Sequence, residues 1–184
     1  MRSKISQSKL WLICILLSLI TSLAFAADIN TPQQLFQIPK TITQAPNLSL
    51  FDLENREQRL SRYAGKVILL HFWATWCSSC LLELPQLQKL WEKLRNKGLV
   101  VIAIAADNRK SVEAFVKANQ FTFPVWIDQY GSGLRAYSVK GFPTTSLIGR
   151  TGNLEGMALG PRDWTNSYIF KMIEAILAKD VKNN

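Results

Sequence analysis

The sequence predicts an α/β fold: a central mixed β-sheet flanked by helices, extended on its N-terminal side by a β-hairpin. Three observations predict it. KVILLHFW (66–73) and LVVIAIAA (99–106) are continuous apolar runs of strand length, as expected for strands buried on both faces. Between them Leu84, Leu87, Leu90, Trp91 and Leu94 recur at helical spacing, and a strand–helix–strand order implies parallel pairing. Near the C-terminal end, two shorter apolar stretches flank the turn-forming RTGN (150–153), the mark of an antiparallel hairpin. With 184 residues, 48% hydrophobic and 19% charged, the chain can bury the core of one domain.

Residues 1–26 differ from the rest. Arg2, Lys4 and Lys9 are their only charges, an apolar run follows from Leu10 to about Leu23, and Ala24-Phe25-Ala26 closes it. This is the pattern of a secretory signal peptide, with cleavage expected after Ala26, although an uncleaved anchor is also compatible with it. Cys14 lies inside the run behind Trp11-Leu12-Ile13, residues too bulky for a lipidation site, and is read as an apolar residue of the discarded peptide. Loss of Arg2, Lys4 and Lys9 leaves 19 Lys and Arg against 13 Asp and Glu, a net charge of +6. Export argues against nucleic acid as a partner, and the mild positive charge names no other.

Residues 27–45, rich in Thr, Gln and Pro, read as an extended lead-in, with the folded domain at 46–180. LSLFDL (48–53) and the stretch around 58–60, separated by ENRE, suggest the N-terminal hairpin; a turn at Gly65 leads into the first core strand. The helix after it starts near Ser78 and stops at Gly98. SVEAFVKANQ (111–120) reads as a helix, FPVWID (123–128) as a short strand, GSGLRAYSV (131–139) as a short helix, and TTSLIG (144–149) with NLEGMAL (153–159) as the closing hairpin. A last helix is expected directly after Gly160-Pro161, with Trp164, Tyr168, Met172, Ile173, Ile176 and Leu177 on its apolar face.

The chemistry-bearing feature is Cys77-Ser78-Ser79-Cys80, in a chain whose exported part has no other cysteine and a single histidine, His71. Cys77 falls at the start of the helix, where free backbone N–H groups and the helix dipole favour an anion such as a thiolate. A thiolate attacks disulfides, and a second cysteine one turn on can displace the mixed disulfide. As a staple the pair would close so short a loop that it adds little stability. As a metal site it lacks further ligands. The hydroxyls of Ser78 and Ser79 are placed to bond a sulfur or to cap the helix.

FWATWCSSC followed by LLELP, with GFPTTSLI about 60 residues later, resembles the thioredoxin superfamily, specifically its exported TlpA/ResA branch, over residues 46–178. The specific elements are Trp76-Cys77-x-x-Cys80, Glu83, Pro85, Gly141-Phe142-Pro143-Thr144-Thr145 and LSRYAGK at 60–66. The resemblance implies a thioredoxin-like fold and a thiol-disulfide oxidoreductase in which Cys77 attacks and Cys80 resolves. It further implies that Pro143 is a cis proline facing the cysteines and that the backbone at Phe142 and Pro143, with Trp76 on the rim, receives the client. Glu83 shares a helix face with Cys80, so burial would raise its pKa and let it move protons; an exposed carboxylate is the alternative. His71, at a strand position where thioredoxin has a buried acid, is either a tuning group or a core histidine satisfied by a backbone carbonyl. Ser78-Ser79 replaces the proline common before the second cysteine, which with His71 leaves the reduction potential open.

The expected partners are disulfide-containing client proteins, for example apocytochrome c cysteines, and a membrane thiol electron donor of the DsbD/CcdA type. The expected location is the periplasm or the outer face of the cytoplasmic membrane. No cofactor or metal is expected. The alternatives are an oxidase or isomerase using the same cysteines, a copper-handling protein with Cys77 and Cys80 as ligands, and a client-binding module whose disulfide never turns over.

Overall fold

Alternation along the first core strand divides the hydrophobic core into two layers. In the computed structural model, which describes residues 35–179, β1 (Ser49–Asp52) and β2 (Glu57–Arg59) form the N-terminal hairpin, and a 3-10 turn (Leu60–Tyr63) leads to β3 (Val67–Trp73). Val67, Leu69 and Trp73 join one apolar cluster while Ile68, Leu70 and Phe72 join the other, so every side chain of β3 is buried. This is why the strand reads as an unbroken apolar run. The expected signal peptide and its cleavage after Ala26 lie outside the described residues.

Helix α1 (Ser78–Leu94) follows, then β4 (Leu99–Ala105), α2 (Arg109–Asn119), β5 (Val125–Ile127), α3 (Ser132–Ala136), β6 (Thr144–Ile148), β7 (Leu154–Leu159) and α4 (Ser167–Lys179). The seven strands form one sheet in the order β2-β1-β5-β4-β3-β6-β7. β3, β4 and β5 are parallel, and the remaining pairs are antiparallel. The hairpin is thus an antiparallel extension of the sheet at β5, and the sheet is mixed, as the sequence predicts. Gly98 ends the α1 segment with φ +100°, a conformation costly for any other residue. Leu84, Leu87, Leu90 and Leu94 form the buried stripe of α1.

The closing helix departs from expectation. It begins at Ser167 rather than directly after Pro161, so Trp164 precedes it. Asp163 Oδ1 accepts from the Thr165 N–H at 2.9 Å, and Asn166 Oδ1 from the Tyr168 N–H at 2.8 Å. The Asp163 bond holds a turn before the helix, and the Asn166 bond to the second helical residue caps α4 and fixes its start at Ser167. Trp164 is buried against Phe36, ring centroids 6.2 Å apart, and the buried stripe of α4 is Ile169, Ile173 and Leu177.

Phe36 is an apolar anchor inside the Thr- and Gln-rich segment before the hairpin. Gln37 and Met157 exchange backbone hydrogen bonds of 2.7 and 3.0 Å, and the Leu154 N–H donates to the Thr43 carbonyl, so this segment pairs along β7. Gly156 leaves room for it: a Cβ there would lie 2.8 Å from Phe36 Cβ. Among the described residues no helix is long and apolar enough to cross a membrane.

Candidate active site

β3 delivers the chain to a short loop, Ala74–Trp76, before α1. The Thr75 N–H and hydroxyl both donate to Asp107 Oδ2, fastening the loop to the residues after β4, and the Ala106 N–H donates to the Trp73 carbonyl at 2.9 Å. Cys77 then occupies the N-cap of α1, and its Sγ accepts the backbone N–H of Cys80 at 3.3 Å. The cap is therefore the Cys77 sulfur, not a serine hydroxyl. Ser79 Oγ lies 3.5 Å from Cys77 Sγ, while Ser78 makes no side-chain hydrogen bond among the described residues. Of the two serines only Ser79 reaches the sulfur.

Cys77 and Cys80 are joined by a disulfide with their Cα atoms 5.3 Å apart. Cys80 is wholly enclosed and Cys77 retains slight exposure, so an incoming thiolate reaches Cys77. Cys77 opens onto a groove of about 790 Å³ lined by Trp76, Ser79, Leu134, Lys140 and Phe142. Trp76 is 69% exposed and meets the Phe142 ring edge-on at 5.6 Å. The Phe142–Pro143 peptide is cis, and the buried Pro143 accepts the Gly160 N–H through its carbonyl at 2.9 Å. Trp76 and Phe142 thus lie together beside Cys77.

Glu83 is 2% exposed, which excludes the exposed-carboxylate alternative. Its Oε1 accepts the Arg162 backbone N–H, and its Oε2 lies 3.7 Å from His71 Nε2. Burial raises the carboxyl to about 7; the Arg162 N–H, the positive charge of Arg162 and the Trp164 indole partly oppose this. The indole N–H favours the ionised form without reaching hydrogen-bond geometry. Alternation in β3 turns His71 toward α1, and burial lowers its pKa to about 3, so the ring is neutral at ordinary pH. The contact with Glu83 is therefore not an ion pair.

His71 is not satisfied by a backbone carbonyl. Its Nδ1 pairs with Thr145 Oγ1 at 2.9 Å, because β3 and β6 pair in a register that sets His71 opposite Thr145. Thr145, Arg162, Asp107 and Trp164 are site residues that sequence reasoning misses. Arg162 and Trp164 reach Glu83 from a loop 79 or more residues away, and no local pattern signals that contact. Among the described residues no group of three or more His, Cys, Asp or Glu side chains is placed to hold a metal.

A thioredoxin-like sheet, a disulfide at the start of the first long helix and a cis proline just before the neighbouring strand β6 define a thiol-disulfide oxidoreductase. The chain belongs to the AhpC/TSA family, whose sequence profile matches residues 42–157. It is 36% identical over 149 residues to the thiol-disulfide oxidoreductase ResA of Geobacillus thermodenitrificans, spanning 79% of this chain and 84% of that one. Among solved structures it is similar to one described as a DsbE-type thiol:disulfide interchange protein from Chlorobium tepidum, with TM-score 0.70, 30% identity, and coverage of 75% of this chain and 98% of that one. StoA from Bacillus subtilis is similar at TM-score 0.59 and 26% identity, covering 69% and 97%.

Proposed function

We propose that the Cys77–Cys80 couple works outside the cytoplasmic membrane in the reducing direction, on disulfides of client proteins. The observation that carries the reading is Glu83, buried one helical turn beyond the enclosed Cys80 with a carboxyl that titrates near neutral pH. In the reduced enzyme the Cys77 thiolate, favoured at the N-cap, attacks a client disulfide and releases one client thiolate. Ionised Glu83 then takes the proton of the Cys80 thiol, and the Cys80 thiolate displaces the second client sulfur, leaving the enzyme disulfide. Trp76 and Phe142 supply an apolar rim for an extended client segment.

The enzyme must then be re-reduced, which calls for a membrane thiol donor of the DsbD/CcdA type. The signal-peptide pattern of residues 1–26 and the likeness to ResA support an exported location, and apocytochrome c cysteines are fitting clients. The test is paired. Cys77→Ser abolishes reduction of insulin disulfides, and Cys80→Ser accumulates mixed disulfides with exported proteins. If neither variant changes anything, the disulfide is not a turnover device.

A further inference from the structure

We propose that His71 is a positioning residue for Glu83, an imidazole whose tautomer reverses when Glu83 gains or loses its proton. The arrangement of donors leads there. Oε1 of Glu83 already accepts the Arg162 N–H, so the proton of the neutral carboxyl resides on Oε2. Oε2 has no hydrogen-bond partner and neither has His71 Nε2; both are buried, and they face each other at 3.7 Å. That gap is about 0.7 Å longer than a hydrogen bond, a distance a small side-chain torsion closes. The other ring nitrogen is held by Thr145 Oγ1, a hydroxyl able to donate or accept.

Two complete hydrogen-bond chains follow. With Glu83 protonated, Oε2–H donates to Nε2 and Nδ1–H donates to Thr145 Oγ1. With Glu83 ionised, the Thr145 hydroxyl donates to Nδ1 and Nε2–H donates to Oε2. The second state holds one proton fewer: the Oε2–H and Nδ1–H bonds are gone and an Nε2–H bond is present. Solvent base takes the departing proton in a titration. In turnover the Cys80 thiol returns a proton to Oε2, while the ring passes its Nε2 proton to solvent and takes one at Nδ1, which restores the first state with one proton gained overall. The ring stays neutral throughout, in line with its burial. Among the described residues, the charged and titratable groups facing Glu83 are His71 from β3, Arg162 from the loop before α4, and Cys80 on its own helix. An unpaired buried acceptor is costly, and a reversible imidazole satisfies both states of the carboxyl.

The inference rests on the reading that Glu83 exchanges protons with Cys80. His71 is the only histidine of the chain, so isotope labelling of histidine gives a single imidazole nuclear magnetic resonance signal set. In the oxidised protein, titrated from about pH 5 to about 9, the ring is expected to remain neutral and to pass from the Nδ1–H to the Nε2–H tautomer. Its midpoint should coincide with that of the Glu83 carboxyl carbon in the same sample. In Glu83→Gln one tautomer should persist at every pH. A tautomer that stays fixed while wild-type Glu83 titrates, an imidazolium in this range, or a tautomer change that survives in Glu83→Gln overturns the proposal. If the tautomer follows Glu83 but Glu83→Gln leaves thiol exchange unchanged, the pairing stands and the role of Glu83 in turnover falls.

Discussion

Cys77 Sγ accepts the backbone N–H of Cys80 at 3.3 Å, so the more exposed sulfur of the pair also caps α1. In the reduced protein the same geometry offers a thiolate one N–H donor and the positive end of the helix dipole. Ser79 Oγ stands 3.5 Å away as a second, weaker donor. Ser79→Ala should therefore raise the Cys77 thiol pKa by roughly half a unit to one unit, measured by thiolate absorbance in the reduced protein. Ser78→Ala should leave it unchanged.

Trp76 and Phe142 meet edge to face beside Cys77, and Trp76 is exposed with no packing duty in the core. Trp76→Ala should lower kcat/KM for a protein disulfide by about tenfold, the cost of losing an aromatic contact of about 1.4 kcal/mol, with little change in stability. Reduction of a small disulfide such as that of glutathione, which does not fill the groove, should change far less. Equal losses on both substrates would show that Trp76 acts on the cysteines rather than on the client.

Glu83 links folding to pH. Its carboxyl is raised from 4.5 to about 7, so the folded protein holds this proton more tightly than the unfolded chain. The stability this contributes is complete below about pH 4.5 and is lost as pH rises through about 7. His71 has the opposite sign: its value is depressed from 6.5 to about 3, and it costs stability as pH falls through that window. Glu83→Gln keeps His71 and removes only the first effect. Relative to wild type, the variant should gain up to about 3 kcal/mol on going from pH 4.5 to pH 8, measured by urea unfolding of the oxidised protein.

Much of this architecture is legible in one dimension because its elements carry strong periodicities. β3 and β4 are buried on both faces and read as unbroken apolar runs, and α1 shows a leucine stripe ending at Gly98 with φ +100°. The cysteine pair and Glu83 are legible too, since i, i+3 spacing puts Cys80 and Glu83 on one helix face. What surrounds them is not. Thr145 meets His71 only through the β3–β6 register, and Arg162 meets Glu83 only through a loop held by Asp163 and Asn166, side chains that also shift the start of α4 to Ser167. Such contacts are set by strand register and turn bonds over long sequence separations, which leave no periodic trace.

A disulfide couple that works as a reductant of clients must hold its electrons loosely, and its equilibrium reduction potential reads this out. Measured against defined thiol buffers at pH 7, the Cys77–Cys80 couple should lie at or below about −230 mV, toward the thioredoxin value of about −270 mV. A value near −120 mV, that of a strong oxidant, would contradict the reducing role.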